Sequence, residues 1–172
     1  QLDIKPENVS LREGANEDVD VKLFGFELAE VQLPGRVCRR PCGTMPFAAP
    51  EVLLAGSEGY DAKAADMWSL GVVFAEVICG LRSVERAVPA FRMAMVSQQP
   101  APAAMRRQAP PAAQIAREVQ NAFREQRTVT SLLGNVLPEA ATLRPSVSRA
   151  ICGLLDVEPL ARSAAAKLRQ VI

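Results

Sequence analysis

Asp3-Ile4-Lys5-Pro6-Glu7-Asn8 places a carboxylate, an ammonium group and a carboxamide within six residues, and four further stretches follow it in order. They are Val21-Lys22-Leu23-Phe24-Gly25-Phe26-Glu27, Gly43-Thr44-Met45-Pro46-Phe47-Ala48-Ala49-Pro50-Glu51, Asp66-Met67-Trp68-Ser69-Leu70-Gly71-Val72, and Leu154-Leu155-Asp156-Val157-Glu158-Pro159 with Arg162. Taken alone, Pro6-Glu7-Asn8 is a polar turn, and each of the others is short enough to arise by chance. Their order decides the fold.

The sequence between them predicts the local structure. Val9-Ser10-Leu11 and Asp20-Val21-Lys22-Leu23 are short β-like runs separated by a polar stretch with Gly14 and Asn16, which predicts a small hairpin. Residues 28–47 hold three prolines and two glycines with little apolar periodicity, and predict an extended loop. Asp61 to Gly80 predicts a helix. Ala64, Ala65, Trp68, Leu70, Gly71, Val72, Phe74, Ala75 and Ile78 make it apolar on nearly every face, so it belongs in a core. Residues 97–114 are rich in proline and alanine with little to bury, and read as a flexible surface insertion. Ile115, Val119 and Phe123 then recur at i, i+4 and i+8, the spacing of an amphipathic helix. Two further helices are expected over Ser146–Val157 and Leu160–Ile172, divided by Glu158-Pro159.

Composition narrows the class. The 172 residues suffice for one domain with a real core, and 49% apolar with 23% charged residues is ordinary for a globular chain. Twenty basic against 19 acidic side chains leave no strong field, so neither nucleic acid nor an anionic membrane surface is expected as partner. No signal peptide is visible, and the apolar run Leu70–Ile78 is too short to span a bilayer. The expectation is a soluble, intracellular protein, cytoplasmic in the first instance with the nucleus left open. With no histidine, a zinc site would need all four cysteines; buried or incidental thiols are the plainer reading. Cys38 and Cys42 flank Arg39-Arg40-Pro41, and if exposed they would be biased toward thiolate by the arginines.

Together the five stretches resemble the C-terminal lobe of serine/threonine protein kinases, over nearly the whole chain. The resemblance implies an α+β, predominantly helical fold: a protein-kinase-like C-terminal lobe across residues 1–172, with the small β-hairpin at the catalytic cleft. It implies ATP and Mg²⁺ as cofactors and a protein as substrate or partner. Asp3 takes the position of the catalytic base, which orients a substrate hydroxyl and accepts its proton. Lys5 matches the residue that neutralises the γ-phosphate, and Asn8 matches a ligand of the second Mg²⁺. Thr44 matches a residue whose hydroxyl bonds the catalytic Asp and Lys; with Lys5-Pro6-Glu7-Asn8 it resembles serine/threonine rather than tyrosine kinases. Glu51 and Arg162 match a buried pair that ties the activation segment to the last helices. Asp66 matches the residue that holds the catalytic-loop backbone, and Trp68 reads as core.

Two departures from the family pattern point the same way. Gly25-Phe26-Glu27 stands where the family has Asp-Phe-Gly, so position 25 has no side chain to bridge Mg²⁺ to the phosphates. Glu27 replaces a glycine whose freedom at positive φ lets that segment swing; its carboxylate lies two residues along and is directed differently. Phe26 is expected to keep its apolar packing role. The family's His-Arg-Asp appears as Gln1-Leu2-Asp3, and Leu2 cannot receive the charge of a phosphorylated loop. Leu28 to Gly43 correspondingly contains no Ser, Thr or Tyr, so no phosphorylation switch is expected there.

Glu7 and Glu76 match two positions that form an acidic pocket in kinases preferring arginine upstream of the target, although kinases without that preference also carry them. The Gly-rich loop, strand lysine and helix glutamate of a working kinase are not found in the chain, and the N-terminal lobe is expected upstream. Two functions stay open: a partial serine/threonine kinase domain impaired in phosphoryl transfer, and a pseudokinase acting as a protein-binding scaffold or allosteric module. A gene remnant is the bland third.

Overall fold

Val9–Glu13 (β1) and Val19–Leu23 (β2) form the two-stranded antiparallel sheet, with Val9 opposite Leu23 and Leu11 opposite Val21. The computed structural model describes residues 1–14, 18–56, 58–92, 111–124, 127–136, 145–162 and 164. The register puts valines and leucines on one face, and Ser10, Arg12, Asp20 and Lys22 on the other. Arg12 and Asp20 pair across the strands at 3.2 Å. Leu11, Val19 and Val21 face solvent. The Pro6–Asn8 3₁₀ turn leads directly into β1, so the hairpin grows out of the Asp3–Asn8 loop.

The expected loop after residue 28 runs largely without regular structure to a short helix, Pro50–Leu53 (α1). An isolated bridge joins Cys38 to Tyr60, pinning the loop beside the entry to the next helix. That helix, Ala62–Cys79 (α2), fits the expected bounds because its ends are chemically marked. The Asp61 carboxylate accepts from the Lys63 and Ala64 N–H groups at 2.8 and 3.1 Å, and Gly80 ends the helix at φ +87°. Ala65, Trp68, Val72, Ala75 and Cys79 are buried, while Val77 is 74% exposed, so one edge of α2 stays open.

Short α3, Ser83–Ala87, follows, and then α4, Ala112–Arg124, α5, Arg127–Val136, and α6, Pro145–Leu154. Helices α3, α5 and α6 all pack on α2, and α1 packs on α4. Gly71 permits the α6 approach: a Cβ there would lie 2.8 Å from Leu154 Cβ and 2.9 Å from Leu155 Cδ2. Ile115, Val119 and Phe123 of α4 are buried as their spacing requires, and Phe123 meets Trp68 edge-on at 5.0 Å between ring centroids.

Several expectations need correcting. The insertion read over 97–114 lies outside the described residues up to Pro110; from Ala112 the chain is helical, so Ala112–Gln114 are the first turn of α4. The helix expected over Ser146–Val157 is Pro145–Leu154, ending three residues early. Glu158 to Arg162 form a turn in which the Ala161 and Arg162 N–H groups both return to the Glu158 carbonyl, at 3.0 and 3.2 Å; the helix expected over Leu160–Ile172 otherwise lies almost wholly outside the described residues. Residues 163 and 165–172 are outside the described set. Helix α5 was not anticipated at all.

Candidate active site

The loop before the hairpin folds its polar side chains onto one carboxylate. Lys5 Nζ lies 2.7 Å from Asp3 Oδ2, and the Thr44 hydroxyl donates to Asp3 Oδ1 at 2.6 Å. Lys5 also donates to Thr44 Oγ1 at 2.8 Å, closing a triangle of three residues drawn from two distant stretches. Asn8 Nδ2 donates to the Asp3 carbonyl at 2.8 Å and to Asp3 Oδ2 at 3.2 Å. Lys5, Thr44 and Asn8 thus all direct donors at the Asp3 carboxylate.

The backbone of this loop is held from below and from the side. Asp66, in the second turn of α2, accepts from the Leu2 N–H through Oδ1 at 2.8 Å. Leu2 is buried in the core at φ +68°, the left-handed region that costs a non-glycine residue about 1–2 kcal/mol. Its neighbour Gln1, which sequence reasoning passed over except as a landmark, bonds both the Asp3 N–H and the Gly25 carbonyl.

Position 25 is where the site departs from expectation most. Gly25 sits at φ +68°, and the Asn8 carboxamide lies so close that a Cβ on Gly25 would be 2.6 Å from Asn8 Cγ, Nδ2 and Oδ1. Phe26 and Glu27 follow in a 3₁₀ turn, Phe26–Leu28, with no buried residue. Phe26 is 59% exposed, so its expected apolar packing role is not fulfilled within this chain. No group of three or more His, Cys, Asp or Glu able to hold a metal occurs among the described residues. Position 25 offers no side-chain oxygen to a cation, and a side chain there would have to displace the Asn8 carboxamide.

Glu51 and Arg162, far apart in sequence, meet in a two-pronged pair: Nη1 to Oε1 at 2.6 Å and Nη2 to Oε2 at 3.3 Å. Arg162 also donates to the carbonyls of Ala64 and Asp156, at 2.7 and 2.9 Å, and stacks over Trp68 at 5.2 Å. Four hydrogen bonds and one ring contact therefore converge on the buried guanidinium.

Glu76 is buried on α2, and burial pushes its carboxyl above the usual range, opposed by the Arg82 backbone N–H. Nearby negative charges on Glu7 and Glu85 raise it further, so the two glutamates singled out in sequence do lie within electrostatic reach. Glu85, on α3, is a third acidic neighbour that sequence did not suggest, because nothing local marks α3 as facing α2. Glu85 itself is paired with Arg82 at 3.1 Å.

Cys38 does not behave as the neighbouring arginines suggested. Cys38 is buried, and its thiol is pushed up to about 11, first by burial and then by a hydrogen bond and charge from Glu30. Arg40 is turned instead toward Glu30, at 3.1 Å. Cys42 Sγ lies 3.4 Å from the Tyr60 hydroxyl, which donates to the Arg40 carbonyl at 2.8 Å.

Residues 1–166 match the family described as protein kinase domain. The chain belongs to the protein kinase family. It is 44% identical over 78 residues to a probable myosin light chain kinase of Dictyostelium discoideum, covering 45% of this chain and 21% of that protein. It is 38% identical over 94 residues to an SNF-related serine/threonine-protein kinase of Homo sapiens, covering 55% of this chain and 12% of that protein. A mitosis inducer protein kinase of Schizosaccharomyces pombe is 35% identical over 78 residues, 45% of this chain and 9% of that protein. The matched regions thus span only 9% to 21% of these curated relatives, and the family is that of serine/threonine kinases. As a protein kinase fold it is predominantly helical, with its small sheet beside the Asp3 loop. Among the described residues no helix is long and apolar enough to cross a membrane.

Proposed function

We propose that this chain is the C-terminal lobe of a serine/threonine protein kinase domain that retains the acceptor side of the reaction and is impaired in phosphoryl transfer from ATP. The observation that carries this reading is the convergence of Lys5, Thr44 and Asn8 on Asp3, beside a Gly25 with no ligand to give. In it Asp3 orients a serine or threonine hydroxyl of a protein substrate and accepts its proton, Lys5 supplies positive charge, and Thr44 fixes the distance between them. Asp66 supports that loop, and the Glu51–Arg162 pair ties the activation segment to the last helices. Glu7, with the buried Glu76 in electrostatic reach of it, supplies the negative charge that would favour arginine upstream of the target. The chemistry needs bound metal to shield the phosphates, and that half of the site is deficient.

The test is phosphoryl transfer to a serine-containing peptide by the intact protein, with Asp3→Asn as control, together with thermal shift in ATP and Mg²⁺. Weak or absent transfer supports the reading. Turnover at an ordinary kinase rate, about 1–100 s⁻¹, that disappears in Asp3→Asn overturns it.

A pseudokinase that binds proteins without catalysis is the second reading. Leu2 favours it: the position that would receive a phosphorylated loop is an apolar side chain sealed in the core. Absence of any thermal shift with ATP and Mg²⁺ would select it over an impaired enzyme.

A further inference from the structure

Gln1 stands where the family has a histidine, and its side chain is buried against the Asp3 loop. Its Oε1 accepts from the Asp3 N–H at 2.8 Å, while Nε2 donates to the Gly25 carbonyl at 2.7 Å and to the Phe24 carbonyl at 3.1 Å. A carboxamide has one acceptor oxygen and two donor hydrogens, and both ends are used here. One side chain therefore joins the backbone of Asp3 to the backbone of position 25.

Asn8 makes the opposite tie. Its Nδ2 donates to the Asp3 carbonyl, and its own carbonyl accepts from the Phe24 N–H at 2.8 Å. The Asp3 peptide is thus held on its N–H side by Gln1 and on its carbonyl side by Asn8, and both holders also grip the Phe24–Gly25 segment. That segment has reason to need restraint. Glycine has the largest conformational freedom to lose, and Gly25 must stay at φ +68°.

We propose that Gln1 is a positioning residue that locks the Asp3 loop to the Gly25 segment through neutral hydrogen bonds, keeping the cleft assembled independently of pH. Its link to catalysis rests on the reading of Asp3 as base, whereas the coupling itself is independent of phosphoryl transfer. The contrast with histidine gives the inference its edge. A neutral imidazole offers one donor and one acceptor, enough for Gly25 and Asp3, but the imidazolium has two donors and no acceptor. A glutamine at this place serves both partners in either condition.

The test is amide hydrogen exchange on the intact protein, expressed as protection relative to intrinsic rates, for wild type, Gln1→Leu and Gln1→His. Gln1→Leu should lower protection at Asp3 and across residues 24–28 about tenfold, with Ala62–Cys79 unchanged, as for loss of one or two local hydrogen bonds. Gln1→His should match wild type at pH 8 and lose protection at Asp3 as pH falls through about 6.5, where wild type stays flat. Unchanged protection at 24–28 in Gln1→Leu overturns the proposal, as does a loss spread evenly into α2. A Gln1→His profile as flat as wild type overturns it too. Rapid phosphoryl transfer by wild type would refute the impaired-kinase reading and leave this coupling standing.

Discussion

A Cβ built on Gly25 would fall 2.6 Å from three atoms of the Asn8 carboxamide, with Gly25 itself in the left-handed region. The missing metal ligand is therefore not a simple deletion. The neighbouring loop occupies the space that a side chain would need, and Asn8 is held there by its bonds to Asp3.

It follows that Gly25→Asp should fail to restore phosphoryl transfer. The left-handed backbone alone should cost about 1–2 kcal/mol, before the contact with Asn8 is relieved. For a chain this long that lowers Tm by roughly 2–4 °C per kcal/mol. A calorimetric scan and a peptide assay on the variant check it; a gain in both stability and Mg²⁺-dependent transfer would contradict the geometry.

Arg162→Ala should destabilise the domain by about 3–5 kcal/mol, since it strands the Glu51 carboxylate beside a buried cavity. Arg162→Lys should recover little, because an ammonium cannot serve Glu51, Ala64 and Asp156 together. Urea titration of both variants gives the answer. An unchanged midpoint for Arg162→Ala would mean the pair contributes nothing to the fold.

Glu76 carries a raised carboxyl in the folded state, so the folded protein binds that proton more tightly than the unfolded chain does. Its stabilising effect is present below the usual carboxylate range and is lost as pH rises through the raised value. Glu76→Gln should accordingly raise Tm at pH 7.5, with the advantage shrinking as the buffer is acidified. Melting curves at several pH values test this, and a constant offset across them would rule out titration of Glu76 as the cause.

With its thiol pushed up to about 11, Cys38 holds only about a thousandth of its population as thiolate at pH 8. Iodoacetamide should therefore leave Cys38 unmodified in the folded protein under conditions that alkylate it fully in urea. Peptide mapping after timed labelling reports this directly; rapid native-state modification of Cys38 would show that the loop opens.

Local patterns account for much of what sequence showed. The hairpin followed from two β-rich runs, and α2 from Asp61 and Gly80 at its ends. The buried face of α4 followed from Ile115, Val119 and Phe123. Helix α5 escaped because Thr128, Val129 and Thr130 read locally as strand formers; its burial against α2, not its propensity, makes it helical. The end of α6 was misplaced because Leu155 continues the apolar run, and only the Arg162 docking site shows that the chain must turn there.

By itself the sequence determined the family and the identity of every group around Asp3, because motif order and local periodicity are written in the chain. It also determined that position 25 has no side-chain oxygen. What the tertiary structure decided is how those groups act on one another. It set the closing of Asn8 over Gly25, the Gln1 bridge, the third acidic neighbour of Glu76, and the burial that turns Cys38 from a reactive thiol into an inert one. Each depends on distances between segments far apart in sequence, and on exclusion of water, which no local pattern encodes.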